Sequence, residues 1–222
     1  MWWIFDCGLT PACLIGQESK YGQLRILKEI VTRITSKAVT KRDEDGLLPG
    51  QKTIPSFMNE MVLPEYNKYL AIRIGTSGHG LEFRGTCDPS GAYTRSTGMQ
   101  EIKAVQKHMP FVEPCRSNVF SDRRVAIADR LTRLVVGQPA LIIDPSCKTL
   151  IRGMEGEFNL EQKMVSSAQG LKYAMEPDKQ NWTSHICDDL AYFGLETSDG
   201  ANTGKKVPTI NKPVVHDAAF GR

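Results

Sequence analysis

The sequence predicts one α/β domain: a mixed sheet that begins with an antiparallel meander and carries helices on its faces. Three observations carry that prediction. The chain opens on Trp2-Trp3-Ile4-Phe5-Asp6-Cys7-Gly8-Leu9, apolar on both faces, as a strand at the centre of a sheet is. Two more strand-like runs follow at short turns. Helical and strand-like stretches then alternate to about residue 196. The 222 residues suffice for one domain with a sizeable core and a tail.

In the first strand one carboxylate, Asp6, interrupts the apolar run. A buried carboxylate needs donors, a partner or a metal. Equally, Asp6 can end the strand and cap the turn at Gly8. The opening stretch does not decide between these. Ala12 to Gln17 is the second strand, Ser19 to Gly22 a turn, and Gln23 to Thr32 the third strand. Its period of two puts Leu24, Ile26 and Lys28 on one face and Arg25, Leu27 and Glu29 on the other.

Thr40 to Gln51 reads as a loop. Ile54 to Leu70 has helical spacing in Phe57, Met61 and Val62, with Pro64 as a kink or boundary. Gly75 to Gly80 is a turn. Leu81 to Asp88 is a short strand that Pro89 ends. Met99 to Met109 predicts a helix and Phe111 to Cys115 a strand. Ser121 to Val136 predicts the clearest helix, capped by Ser121, ended by Gly137, with Ile127, Leu131, Leu134 and Val135 on one stripe. Ala140 to Asp144 is a strand, and Pro145-Ser146 caps a short helix from Cys147 to Gly153. Glu157 to Val165 is a hairpin piece, and Ser184 to Leu195 the last helix. Residues 1–196 therefore form the domain. Residues 197–222, rich in Gly, Pro, Asn and Lys without periodicity, read as a flexible tail that orders on a partner.

Composition narrows the function classes. A net charge of +3 neither requires nor excludes nucleic acid. No secretory signal or membrane-length run is present, so a soluble, intracellular protein is expected. The six cysteines (Cys7, Cys13, Cys87, Cys115, Cys147, Cys187) form no C-x-x-C pair, which argues against a zinc site or disulfide framework and for small buried hydrophobes. Gly200 to Lys206 approaches a P-loop but is one residue short, lacks the final Ser/Thr and follows no strand, so no ATPase activity is expected.

The chemistry-bearing candidates are carboxylates. Asp6 lies in the first strand, Asp88 closes a later one, and Asp188 lies on the last helix in Ser184-His185-Ile186-Cys187-Asp188-Asp189. If they converge they make an all-oxygen site suited to two hard divalent cations, Mg2+ or Mn2+. Two such ions about 3.5–4 Å apart can activate water on one side of a phosphodiester and stabilise the leaving oxygen on the other. Taken singly, a strand-end Asp is usually a turn residue and a helical Asp usually solvated.

Four stretches together resemble the nuclease domain of a tailed-bacteriophage terminase large subunit, the DNA-packaging motor. They are Ile4 to Ala12 with its Asp and Gly-Leu-Thr-Pro turn, Cys87 to Gly91, Gly137 to Cys147, and Ser184 to Tyr192. The resemblance implies an RNase H-like fold and a metal-dependent DNA endonuclease that cuts concatemeric viral DNA during packaging. It implies Asp6, Asp88 and Asp188 as metal ligands, with Asp6 bridging two cations. Asp189 stands where the family has Ala and competes with Asp188; on a helical wheel Asp189 borders the apolar face and Asp188 lies nearly opposite it. The implied partners are double-stranded DNA, a terminase ATPase domain, the small terminase and the capsid portal, in the cytoplasm of an infected host cell.

Lys179 and Arg124 are the first candidates for gripping the DNA backbone, among Arg123, Lys163, Lys172, Lys205 and Lys206. Asp144 reads as a helix-start residue before a fourth acidic ligand. Glu29 reads as solvated and His185 as a packing or hydrogen-bonding group. Cys7 and Cys87 are expected to pack away from the carboxylates, since strand neighbours face opposite ways. Two other readings remain: a resolvase- or transposase-type nuclease with the same triad, and a catalytically silent DNA-binding or docking module.

Overall fold

The computed structural model describes residues 1–8, 10–32, 51–75, 81–93, 100–167, 170–178 and 182–198. Strands β1 (Trp2–Asp6), β2 (Ala12–Glu18) and β3 (Leu24–Val31) form the expected antiparallel meander. A helical run follows, made of α1 (Ile54–Phe57), a wider π-type turn (Met58–Val62) and α2 (Leu63–Gly75). The wide turn falls immediately before Pro64. Proline has no N–H and its ring crowds the carbonyl four residues back; here Leu63 N–H reaches one residue further, to Met58 O.

β4 (Arg84–Cys87) lies parallel to β1, and after α3 (Glu101–Gln106) β5 (Val112–Pro114) lies parallel to β4. Helix α4 spans Phe120–Thr132, ending four residues earlier than expected. Its end becomes a tight hairpin, β6 (Leu134–Val135) against β7 (Gln138–Pro139), turning through left-handed Val136 (φ 52°) and Gly137 (φ 76°). Ser121 does not cap α4; Val119 holds that position. Of the expected stripe, Ile127 and Val135 are buried but Leu131 and Leu134 are exposed, and the buried face of α4 is Arg123, Ala126, Ile127 and Arg130. β8 (Leu141–Ile143) pairs parallel with β3 and completes a six-stranded sheet in the order β5-β4-β1-β2-β3-β8. α5 (Lys148–Arg152), a separate hairpin of β9 (Leu160–Ser167) and β10 (Gly170–Pro177), and α6 (Ser184–Glu196) follow.

Both faces of the sheet are covered, which is why β1 is apolar on both. Trp3, Phe5, Cys13 and Ile15 pack against Phe57, Met58, Val62, Ile102 and Val105. Ile4, Leu14, Leu24 and Ile26 pack against Ile127, Leu150, Ile186, Leu190 and Phe193. Each such large side chain, fully buried, stabilises by about 1.5–3 kcal/mol.

One extra residue breaks the period in β3. Ile15 pairs with Lys28 and Gly16 with Ile26, so Leu27 is a bulge. Beyond it the faces exchange. Lys28 leaves the face of Leu24 and Ile26 and pairs with Glu65 of α2 at 2.7 Å. Glu29 instead joins the α5–α6 face, where its two oxygens accept the Thr149 and Leu150 N–H groups at 2.8 Å each. Glu29 therefore caps α5. Asp144 closes a local turn, accepting Ser146 N–H at 2.9 Å and Ser146 O–H at 2.6 Å.

α6 is gripped from several sides. The sheet lies under it, α4 runs along it, and α5 meets its start. Ten of its 13 residues are buried, so even residues opposite the sheet lose water. Gly194 permits the close approach of α4: a Cβ there would stand 2.5 Å from Ile127 Cδ1. Arg116 Nη2 donates to Leu195 O at 2.7 Å and Arg130 Nη2 to Thr197 O at 2.6 Å, satisfying carbonyls at the helix end. Thr197 is buried there; residues 199–222, most of the expected tail, lie outside the described residues.

Candidate functional site

Pairing register brings Asp6 and Asp88 together. Phe5 pairs with Cys87 in parallel β1 and β4, and one step beyond, Asp88 N–H donates to Phe5 O at 2.9 Å. Alternation puts Asp6 and Asp88 on the face that α6 crosses, with Cys7 and Cys87 in the core of the other face as expected. The Asp88 side chain starts the 3-10 turn Pro89–Ala92, accepting Ser90 N–H at 2.9 Å and Ser90 O–H at 2.6 Å. That turn is why Pro89 follows: it needs no donor at the first position.

From α6, Asp189 completes the group. Its side chain is fully buried, and neither carboxylate oxygen has a hydrogen-bond partner among the described residues. Burial first, then the neighbouring charges of Asp6, Asp188 and Asp88, pushes its carboxyl well above the usual carboxylate range. Asp189 thus lies within the electrostatic field of Asp6, Asp188 and Asp88.

Asp188 sits nearby but faces α4. Arg123 Nη1 donates to its Oδ1 at 2.8 Å, and both side chains are sealed from solvent. The guanidinium also lies 4.5 Å from the Tyr192 ring, whose hydroxyl donates to Asn118 Oδ1 at 2.8 Å. Asp188 is thus already neutralised within the protein. This also removes Arg123 from the DNA-gripping candidates.

His185 precedes Asp189 by four residues, so the two share one face of α6. Its Nδ1 lies 2.9 Å from Asp6 Oδ2, and its Nε2 lies 2.6 Å from Thr10 Oγ1 in the β1–β2 turn. Hydrogen bonding was within the expectation for His185; Thr10 as its partner was not foreseen. The i, i+4 spacing of His185 and Asp189 was the available signal.

The remaining candidates stand apart. Ile143 is level with Ile26, which is level with Gly16 and Trp2. Asp144 therefore lies towards the opposite end of β1 from Asp6, and three strand spacings away, roughly 14 Å. Arg124 is exposed on α4. Lys179, Lys205 and Lys206 lie outside the described residues, and of Lys163 and Lys172 only the backbone is described.

Among the described residues no group of three or more His, Cys, Asp or Glu side chains is placed to hold a metal ion. The donor chemistry nevertheless fits a hard divalent cation on one observation: Asp189 has two buried oxygens without hydrogen-bond partners among the described residues, under the influence of three further carboxylates, Asp6, Asp188 and Asp88. No helix among the described residues is long and apolar enough to cross a membrane. No protein-family model, curated protein or solved structure matches the chain.

Proposed function

We propose that the chain is an RNase H-like, divalent-metal-dependent DNA endonuclease of the terminase type, cutting concatemeric viral DNA as packaging starts and ends. The observation that carries this reading is Asp189. An ionised carboxylate without donors is strongly disfavoured in a protein interior. A cation shared with Asp6 and Asp88 removes that penalty. The sheet order supports the fold assignment: a central meander, two strands parallel to β1, and acidic residues at the ends of β1 and β4 facing a helix.

In this reading Asp6, Asp88 and Asp189 hold Mg2+ or Mn2+, and Asp188 anchors α6 to α4 through Arg123. The bound cations would supply an acidified water and stabilise the leaving oxygen of the phosphodiester. The chain's own contribution is position. β1 and β4 fix two carboxylates through strand pairing, Ser90 fixes the Asp88 rotamer, and the buried α6 fixes the third. Arg124 and Lys179 would meet the DNA backbone without reading sequence. Partners under this reading are an ATPase domain, the small terminase and the capsid portal, in the infected cell.

Cleavage of supercoiled plasmid with Mg2+ or Mn2+ tests it. Wild type nicks or linearises the plasmid. Asp6→Asn and Asp189→Asn lose roughly 100-fold or more, the scale of removing one group that stabilises the transition state. Asp6→Ala cutting as well as wild type would sink the assignment. One observation favours a silent docking module instead: Asp88 has both oxygens, and Asp6 one, already bonded within the chain. Neither Mn2+ binding nor cleavage would select that reading.

A further inference from the structure

Helix α4 buries one face and leaves a second, apolar one in water. Arg123, Ala126, Ile127 and Arg130 turn into the domain. On the outer side Val125, Ala128 and Leu131 are exposed, with exposed Val119 just before the helix and exposed Leu134 and Val136 just after it. Ten large apolar or aromatic side chains stand exposed among the described residues; five fall between Val119 and Val136, and the other five stand singly elsewhere. Single exposed apolar side chains are ordinary, but a cluster marks a contact surface. At 48–79% exposure each, the five make an apolar patch of roughly 500 Å², a size that on monomers is often functional. The face carries no net charge: Asp122 and Asp129 balance Arg124 and Arg133, and Asp129 pairs with Arg133 at 3.4 Å. Thr132 turns its hydroxyl onto Ala128 O at 2.9 Å, so that donor is already met. A neutral apolar face suits a protein surface of the same kind rather than a polyanion.

Spacing along the helix points to the occupant. Ala128, the smallest of these side chains, is the midpoint. Val125 and Leu131 lie three residues to either side, about 4.5 Å along the axis. Val119 lies nine residues before Ala128 and Val136 eight after it. A pattern that reads alike in both directions is self-complementary when two copies meet antiparallel about a two-fold axis. We propose that the outer face of α4 docks a second copy of this chain, α4 against α4, with the axis at Ala128. Val125 then stands level with Leu131 of the second copy, and Val119 faces the hairpin tip at Val136. Ala128 against its counterpart lets the helix axes approach to about 8–10 Å. Arg124 lays its aliphatic stem across the seam and keeps its charged head at the rim. With a polar rim added, the buried area reaches the roughly 800 Å² per partner of a standard stable interface. Self-association through α4 does not depend on the metal-dependent reading above.

Sedimentation equilibrium of the full chain tests it at about 100 µM, well above the micromolar dissociation constants at the weak end for interfaces of this size. Wild type sediments at twice the chain mass. Val125→Lys and Leu131→Lys change exposed residues and keep the wild-type thermal melt, yet each weakens self-association roughly tenfold or more. Cross-linking with a short bismaleimide reads the geometry. All six native cysteines are buried, so Ala128→Cys supplies the accessible thiol and joins to itself. Val125→Cys joins to Leu131→Cys in a mixture more readily than to itself. A monomeric wild type overturns the proposal; if it dimerises only once residues 199–222 are removed, the tail covers the face instead. A dimer that both Lys variants keep at wild-type affinity is built elsewhere and also overturns it. Failure of Ala128→Cys to join to itself overturns the antiparallel seam.

Discussion

Arg123 donates to Asp188 at 2.8 Å inside the seam between α4 and α6, with both side chains almost wholly withdrawn from water. Breaking such a pair by removing one partner leaves an uncompensated buried charge, which costs about 3–5 kcal/mol. Urea unfolding of Arg123→Leu or Asp188→Leu should show losses of that order. The double variant should lose clearly less than their sum. Additive losses would mean the two groups are not coupled.

Asp189 predicts the opposite sign. Because its carboxyl is buried without partners, Asp189→Asn should raise the melting temperature of the cation-free protein. For a chain of this size each kcal/mol gained corresponds to roughly 2–4 °C. Mn2+ should raise the melting temperature of wild type but not of Asp189→Asn. A Mn2+-induced rise retained in Asp189→Asn would assign the cation elsewhere.

Gly194 and Ile127 give a packing test. The Cβ of Gly194→Ala would stand 2.5 Å from Ile127 Cδ1 and 3.2 Å from its Cγ1. Overpacking of this kind costs about 1–3 kcal/mol. Ile127→Val deletes Cδ1, so adding it to Gly194→Ala should recover part of the loss, read as a positive interaction in a double-mutant cycle.

The thiols predict a response to pH. Burial pushes Cys115 and Cys187 up to about 12 and Cys147 up to about 11. A thiol whose folded pKa is raised gives its stability fully below the unfolded value, about 8.5, and loses it as pH rises through the folded value. Stability should therefore decline between about pH 8.5 and pH 11–12. At pH 8 in native buffer these three thiols should not react with a disulfide reagent, and all should react on unfolding. Fast native labelling of any of them would contradict their burial.

Much of the fold was legible because local signals agreed with it. The meander, the Asp88-Pro89 strand end and the α6 amphipathic run each follow from alternation, proline chemistry or a 3.6-residue period. Where tertiary contacts outvoted local pattern, the sequence misled. Leu27 carries no mark of a bulge, yet it sends Glu29 to the α5 helix and Lys28 to Glu65. Arg123 and Arg130 look solvated on a helical wheel, but the face they line meets Asp188 and the carbonyls ending α6, so burial follows from partners that sequence distance hides. At the site, Asp6 and Asp88 could be picked out by position. That Asp188 pairs with Arg123 while Asp189 has no hydrogen-bond partner among the described residues could not, because it depends on α4 lying across the outer side of α6.

That placement of α6 has a kinetic consequence. A helix held by a sheet, a second helix and a short third one cannot peel away while the rest stays folded. Its central amides, from Cys187 to Phe193, should exchange with solvent deuterium only through whole-domain opening, at the slowest rate in the chain. The acidic locus inherits that stiffness. The backbone that carries Asp189 should therefore move only with the domain as a whole.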